Sequence, residues 1–261
     1  MKEMKNHLII IEYDGSCFHG WQIQPNARTV QGELEKALSH ICNMEIHVNG
    51  TSRTDAGVHA YHQAASFCGN FGIPVERIPV AANNLLEDVK ILSAEEKPLD
   101  FHARFDSKGK TYLYRISIAK ELDIFQRNYR YQLNESPDTS KMIEAGTLLI
   151  GTHDFATFMS AGGNEPVSTV RTITDVDIKR FETKNTKGNM QEEIEIRVTG
   201  DGFLYNMVRI IVGTLVDVGF GKISTSEMEE IIKSCKRENA GHTAPACGLY
   251  LEKIFWEDLK G

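Results

Sequence analysis

One stretch of the chain gathers residue types that could do chemistry. Gly50-Thr51-Ser52-Arg53-Thr54-Asp55-Ala56-Gly57-Val58-His59-Ala60 sets one arginine and one aspartate among small residues, directly after a strand-like segment. Small residues let a backbone come close to a ligand, so the loop suits a site where main chain, one cation and one carboxylate meet a substrate. The same residues also suit a plain turn, with Asp55 capping through its own backbone, Gly57 supplying a positive φ and Arg53 solvated. A second candidate is the helix expected from Phe203 to about Val218, apolar nearly all round except for a stripe of Gly202, Asn206, Arg209 and Gly213. A buried guanidinium is costly unless it meets a carboxylate, and a mid-helix glycine costs about 1 kcal/mol against alanine unless something packs close to it. The partner of Arg209 is either a structural acidic residue or a carboxylate in a cleft.

Several common chemistries have no motif here. There is no GxxxxGK(S/T) phosphate loop, no GxGxxG after a strand, no GxSxG elbow and no HExxH helix. His59 and His62 stand three apart, but no acidic or cysteine partner lies at a ligand spacing, and no metal is expected. Five cysteines, an odd number without a CxxC pair, read as reduced and mostly packed thiols. A net charge of −7 excludes a protein whose whole surface grips nucleic acid, so any such contact must use local basic surface. With 41% hydrophobic and 25% charged residues and no apolar run near the ~20 residues of a membrane span, the composition is that of a globular chain. The start, MKEMKNHLIII, carries too short an apolar run and no small-residue cleavage site for a secretory signal, so the expected location is the cytoplasm.

The elements that must position these residues follow from periodicity. Leu8-Ile9-Ile10-Ile11, closed by Asp14-Gly15, predicts a strand buried on both faces. The three- and four-residue steps of Val30, Leu34, Ala37, Leu38 and Ile41 predict a helix over Thr29–Cys42. Alternation predicts strands at Met44–Val48, Ala64–Cys68, Lys110–Ile118 and Glu193–Val198, with the loop Gly50–His62 between the first two. Asp138–Ile150 reads as a helix, and Ser226 with Glu229 as a capping box for a last helix to Cys235. Both halves read strand, Asp-Gly, helix, which predicts an α+β fold of two related lobes with mainly antiparallel sheets flanked by helices. The expected division is 1–106, carrying the Asp55 loop, and 107–261, carrying the Arg209 helix.

Motifs in order along nearly the whole chain resemble the bacterial tRNA pseudouridine synthase A family. They are Tyr13-Asp14-Gly15, Gly20-Trp21-Gln22, Thr29-Val30-Gln31, the Ser52–Ala60 loop, Phe101-His102-Ala103-Arg104-Phe105, Lys110-Thr111-Tyr112, Gly151-Thr152-His153-Asp154-Phe155, Val170-Arg171-Thr172, Gly202–Arg209, and Thr243-Ala244-Pro245-Ala246 with Gly248–Leu251. Some members have glycine where this chain has Ser52, a small-for-small change. The resemblance implies isomerisation of uridine to pseudouridine in the anticodon stem-loop of tRNA, in a cleft between the lobes. It implies Asp55 as nucleophile and Arg209 as the cation that keeps it ionised. Tyr112 would stack on the target base, with a part in proton transfer left open. Arg53 would hold the flipped nucleotide out of the stem, and Leu249 or Leu251 would floor the pocket. It further implies no cofactor, no metal, and a homodimer clasping one tRNA. Arg28, Arg104, Lys108, Lys110, Arg127, Arg130 and Arg171 are the candidate phosphate contacts. Two rivals stand beside this reading: a paralogue acting on ribosomal or other RNA, and a non-catalytic RNA-binding protein.

Overall fold

The apolar run Leu8–Ile11 becomes the middle of strand β1 (Lys5–Tyr13), in the computed structural model, which describes residues 4–121, 123–162 and 166–259. Helix α1 (Val30–Cys42) follows, then β2 (Asn49–Gly50), β3 (His59–Gly69), the short α2 (Ile78–Asn83), β4 (Val89–Lys97) and the single turn α3 (Ala103–Asp106). β1 runs antiparallel between β3 and β4, with Ile9 opposite Ala65 on one side and Ala94 on the other. A strand paired on both edges and covered on both faces can be apolar without alternation, and Leu8, Ile9 and Ile11 are all buried. Thr29 caps α1 by accepting from the Gly32 amide, and Asn43 ends it in the left-handed region at φ 51°.

The next elements are β5 (Gly109–Ile118), β6 (Tyr131–Leu133), α4 (Thr139–Thr147), β7 (Gly151–Asp154), β8 (Val170–Lys184), β9 (Met190–Gly200), α5 (Met207–Gly219) and α6 (Met228–Ser234). β7, β8, β9 and β5 form antiparallel neighbours in that order, and β6 lies parallel to β5. The last strand, β10 (Leu249–Phe255), sets Tyr250 and Leu251 parallel to His59 and Ala60 of β3. The fold is α+β, with mostly antiparallel sheet flanked by helices.

Two compact units result, Met1–Lys108 with Tyr250–Glu257, and Gly109–Leu249 with Asp258–Gly261. The division therefore falls two residues beyond 106, and Tyr250–Glu257, expected with the second lobe, belongs to the first. A C-terminal strand carries no local signal of which strand it will pair with, here β3. Among the described residues no helix is long and apolar enough to cross a membrane.

Four local expectations are corrected. Met44–Val48 buries Ile46 and Val48 as alternation requires, but no ladder forms there. The Ile46 and Val48 amides bond instead to Ser39 and Glu35 side chains of α1. Helix α5 begins at Met207 rather than Phe203, because Asn206 stands at φ 61°, which an α-helix cannot contain. The capping box uses Ser224 and Glu227, not Ser226 and Glu229. All five cysteines are free, yet Cys17, Cys68 and Cys235 are exposed rather than packed.

Candidate active site

The Asp55 loop lies wholly in the first unit and is tied down residue by residue. Thr51 donates its amide to the Ala64 carbonyl at 2.8 Å and its hydroxyl to the same oxygen at 2.9 Å. Gln63, fully buried in β3, spans Ser52: its amide nitrogen donates to the Ser52 carbonyl at 2.8 Å and its oxygen accepts from the Ser52 amide at 3.3 Å. Thr54 meets the Tyr13 hydroxyl at 2.7 Å through its own hydroxyl, and its carbonyl accepts from the Trp21 amide at 3.0 Å. Directly after these anchors the chain turns, Val58 donating to the Asp55 carbonyl at 3.1 Å with Gly57 at φ +79°. A positive φ at the third residue is the type II pattern that favours glycine.

That turn is closed by the main-chain carbonyl of Asp55. Asp55 itself is half-buried and Arg53 exposed, between buried Ser52, Thr54 and Val58. Close approach also shapes the neighbourhood. A Cβ on Gly15 would sit 2.0 Å from the Val58 carbonyl oxygen, and one on Gly20 2.8 Å from that of Thr54. His59 is buried, accepts from the Gly15 amide at Nδ1 (3.0 Å) and stacks on Tyr250 at 4.7 Å. Three residues on, His62 is exposed, and an odd offset along a strand sends the two side chains to opposite faces. The pair cannot share a metal, and no group of three His, Cys, Asp or Glu able to hold one occurs among the described residues.

Arg209 lies in the second unit. It is half-buried rather than buried, near the start of α5, with Nε donating to the Ala244 carbonyl at 2.8 Å and Nη1 to the Asn206 side-chain oxygen at 2.7 Å. Asn206 is fixed in turn by Ser160 at 3.1 Å. The backbone reciprocates, Ala244 donating to the Arg209 carbonyl at 3.1 Å. Gly213 explains how segment 241–244 comes so near: a Cβ there would fall 1.8 Å from the His242 carbonyl oxygen. Beyond it Asp217 accepts from the His242 ring at 3.0 Å and from Lys222 at 3.0 Å. Burial pushes the Asp217 carboxyl up, but these hydrogen bonds outweigh it and hold it below the ordinary carboxylate range.

Tyr112 on β5 is buried, 7% exposed, and packs edge-on against Phe203 at 5.2 Å. Leu249 is 6% exposed and Leu251 is closed off completely, its residue opposite Ala60 in the ladder. The basic candidates separate by their commitments. Arg28 pairs with Asp88 at 2.7 Å and lies over the Phe18 ring, and Arg130 pairs with Glu193 at 2.7 Å. Arg171 turns back on the Ser168 and Val170 carbonyls, and Arg127 on that of Ile124. Arg53 and Arg104 have no carboxylate partner among the described residues. Sequence reasoning missed the anchoring roles of Gln63, Asn206 and Ala244, since a neutral side chain or a backbone carbonyl carries no motif.

Comparison with known proteins converges on one group. A family model described as tRNA pseudouridine synthase matches residues 9–106 and 145–257. The tRNA pseudouridine synthase A of Acetivibrio thermocellus is 44% identical over 254 residues, 97% of this chain and 100% of that protein. The tRNA pseudouridine synthase A 2 of Clostridium tetani is 45% identical over 255 residues, covering 97% and 99%. The tRNA pseudouridine synthase A of Halalkalibacterium halodurans is 45% identical over 248 residues, covering 94% and 90%.

Proposed function

The chain belongs to the tRNA pseudouridine synthase family, an enzyme that isomerises uridine in tRNA, and we propose that Asp55 is its nucleophile and the anticodon stem-loop its target. The observation that carries the reading is the Asp55 loop, where anchors on Thr51, Ser52 and Thr54 hold the backbone and the Asp55 main-chain carbonyl closes the turn. A nucleophile needs such placement, because rate falls steeply when a reacting group is an ångström out of position.

The rearrangement breaks the N1–C1′ glycosidic bond, turns the base, and joins C5 to C1′, with a proton leaving C5 and one added at N1. Nothing is oxidised or lost, so neither cofactor nor metal is called for. Asp55 supplies the covalent hold during the turn, and the Arg209 guanidinium, oriented by Ala244 and Asn206, keeps that carboxylate ionised. Tyr112 stacks on the uracil, Arg53 holds the flipped nucleotide by its phosphate, and Leu249 or Leu251 closes the floor. The enzyme acts in the cytoplasm as a homodimer on one tRNA, an arrangement that lets a chain of net charge −7 grip a polyanion through local basic surface.

Pseudouridine mapping in RNA from cells with and without the gene is the deciding experiment. Signal lost from anticodon stem-loops alone supports the reading. Loss from ribosomal RNA alone transfers the activity to another substrate, and no loss anywhere ends it. A fully active monomer in sedimentation at assay concentration would remove the dimer.

A further inference from the structure

Beside the Asp55 loop, inside the first unit, Trp21, Arg53, His102, Arg104 and Phe105 line an open pocket of about 140 Å³. Its floor is Trp21, 3% exposed, whose ring lies so close to residue 50 that a Cβ on Gly50 would fall 2.3 Å from Cζ2. Its wall is α3, bound to the framework through the Ala103 amide on Ser66 Oγ at 3.0 Å and the Thr51 hydroxyl on the Ala103 carbonyl at 3.3 Å. Thr51 opens the Asp55 loop, and Trp21 bonds to Thr54 one residue before Asp55, so pocket and loop share their anchors.

On this rigid wall Phe105 keeps 74% of its surface in water. The His102 ring sits 4.4 Å from it at 39°, and the Arg104 guanidinium 5.9 Å from its centroid. His102 accepts from the Arg104 amide at Nδ1 (3.1 Å), which leaves its Nε2–H as a donor. Arg53 and Arg104 are without carboxylate partners among the described residues of a chain rich in them. Exposed aromatic faces beside uncommitted cations are the recurring means of holding an unstacked base and its phosphates.

We propose that this pocket is a subsite for one unpaired nucleotide adjoining the target uridine, its base stacked on Phe105 and its phosphates held by Arg53 and Arg104. The inference rests on the RNA-modifying reading above. Flipping the target leaves its neighbour without a stacking partner, and Phe105 replaces that partner while the uridine is away. Because every base has a π face, the subsite stabilises the opened stem without reading its sequence.

Filter binding of a tRNA transcript across a salt series, with the full-length protein, tests this. Phe105→Ala and Phe105→Leu should both weaken affinity about tenfold with unchanged salt slope, and Phe105→Trp should stay within twofold of the parent. Arg104→Gln should lower the log–log salt slope by about one. Leucine keeps the apolar bulk and loses the ring face, so a Leu variant within twofold of the parent overturns the subsite even if Ala is impaired. Pseudouridine formation by the parent is measured alongside. A parent inert on tRNA whose variants bind as expected would sink the synthase reading and keep the RNA subsite, whereas an active parent with an unaffected Leu variant would do the reverse.

Discussion

Asp55 is held on a loop whose anchors are nearly all hydrogen bonds, from Gln63, Tyr13 and Trp21, while Arg209 is held on a helix whose anchors are apolar burial and one close backbone approach. The turn at Asp55 is closed by its main-chain carbonyl. Arg209, by contrast, uses its own Nε and Nη1 to tie down Ala244 and Asn206. The difference means that the turn at Asp55 rests on main chain, whereas the Arg209 guanidinium is itself part of the architecture around it. A change at position 55 should alter reactivity most, and a change around Arg209 should alter reactivity and stability together.

The largest effect is expected for Asp55→Asn. The Val58 bond to the Asp55 carbonyl and the Gly57 turn remain, so thermal unfolding should stay within about 1 kcal/mol of the parent. An amide cannot form the covalent link, and turnover should fall by more than about 10³-fold in single-turnover tritium release. Affinity for tRNA should persist or rise with one negative charge gone. Turnover within tenfold of the parent would end the nucleophile assignment.

Arg209→Met comes next, with turnover lower by about 10²–10³-fold, the usual loss when one electrostatic stabiliser is removed. Here stability should drop as well, since the Ala244 carbonyl loses its donor. Unchanged turnover with lowered stability would reduce Arg209 to a strap for segment 241–244. Gly213→Ala probes the same entanglement from a distance: its methyl meets the His242 carbonyl, a backbone group that cannot swing aside. Urea titration should show a loss of about 2 kcal/mol. A smaller fall in kcat should accompany it as Ala244 shifts against Arg209. Gly213→Ala with parent-like stability would mean that segment 241–244 yields freely and does not position Arg209.

The smallest effect is a pH dependence confined to the second unit. Asp217 titrates below its ordinary range when folded, so its contribution is fully present above the unfolded value of about 3.9 and is lost as pH falls through the folded one. The stability gap between parent and Asp217→Asn in urea should therefore narrow from pH 6 to pH 3. A gap that stays constant would show that the carboxylate adds nothing beyond its shape.

Legibility followed the same division. The loop around Asp55 could be read in advance because glycine, serine and threonine at close spacing have few uses other than turns, and Gly57 does take the positive φ expected of it. Gly213 was readable as a question, a glycine whose cost demanded a close neighbour, but His242 as the answer was not. The start of α5 was misread for a related reason: Phe203 and Leu204 continue the apolar pattern, and only the local backbone at Asn206 breaks it.

The burial of β1, the helices α1 and α4, the strands β5 and β9 and the family itself were legible in the chain alone, because they rest on periodicities and motifs within a few residues of each other. That β10 lies beside β3, how Ile46 and Val48 satisfy their amides on α1 without a ladder, and what meets Arg209 and Gly213 were decided only in three dimensions. They join groups from 7 residues apart, as Ile46 and Ser39, to nearly two hundred, as Tyr250 and His59, and a hydrogen bond or van der Waals contact is indifferent to the length of chain between its partners.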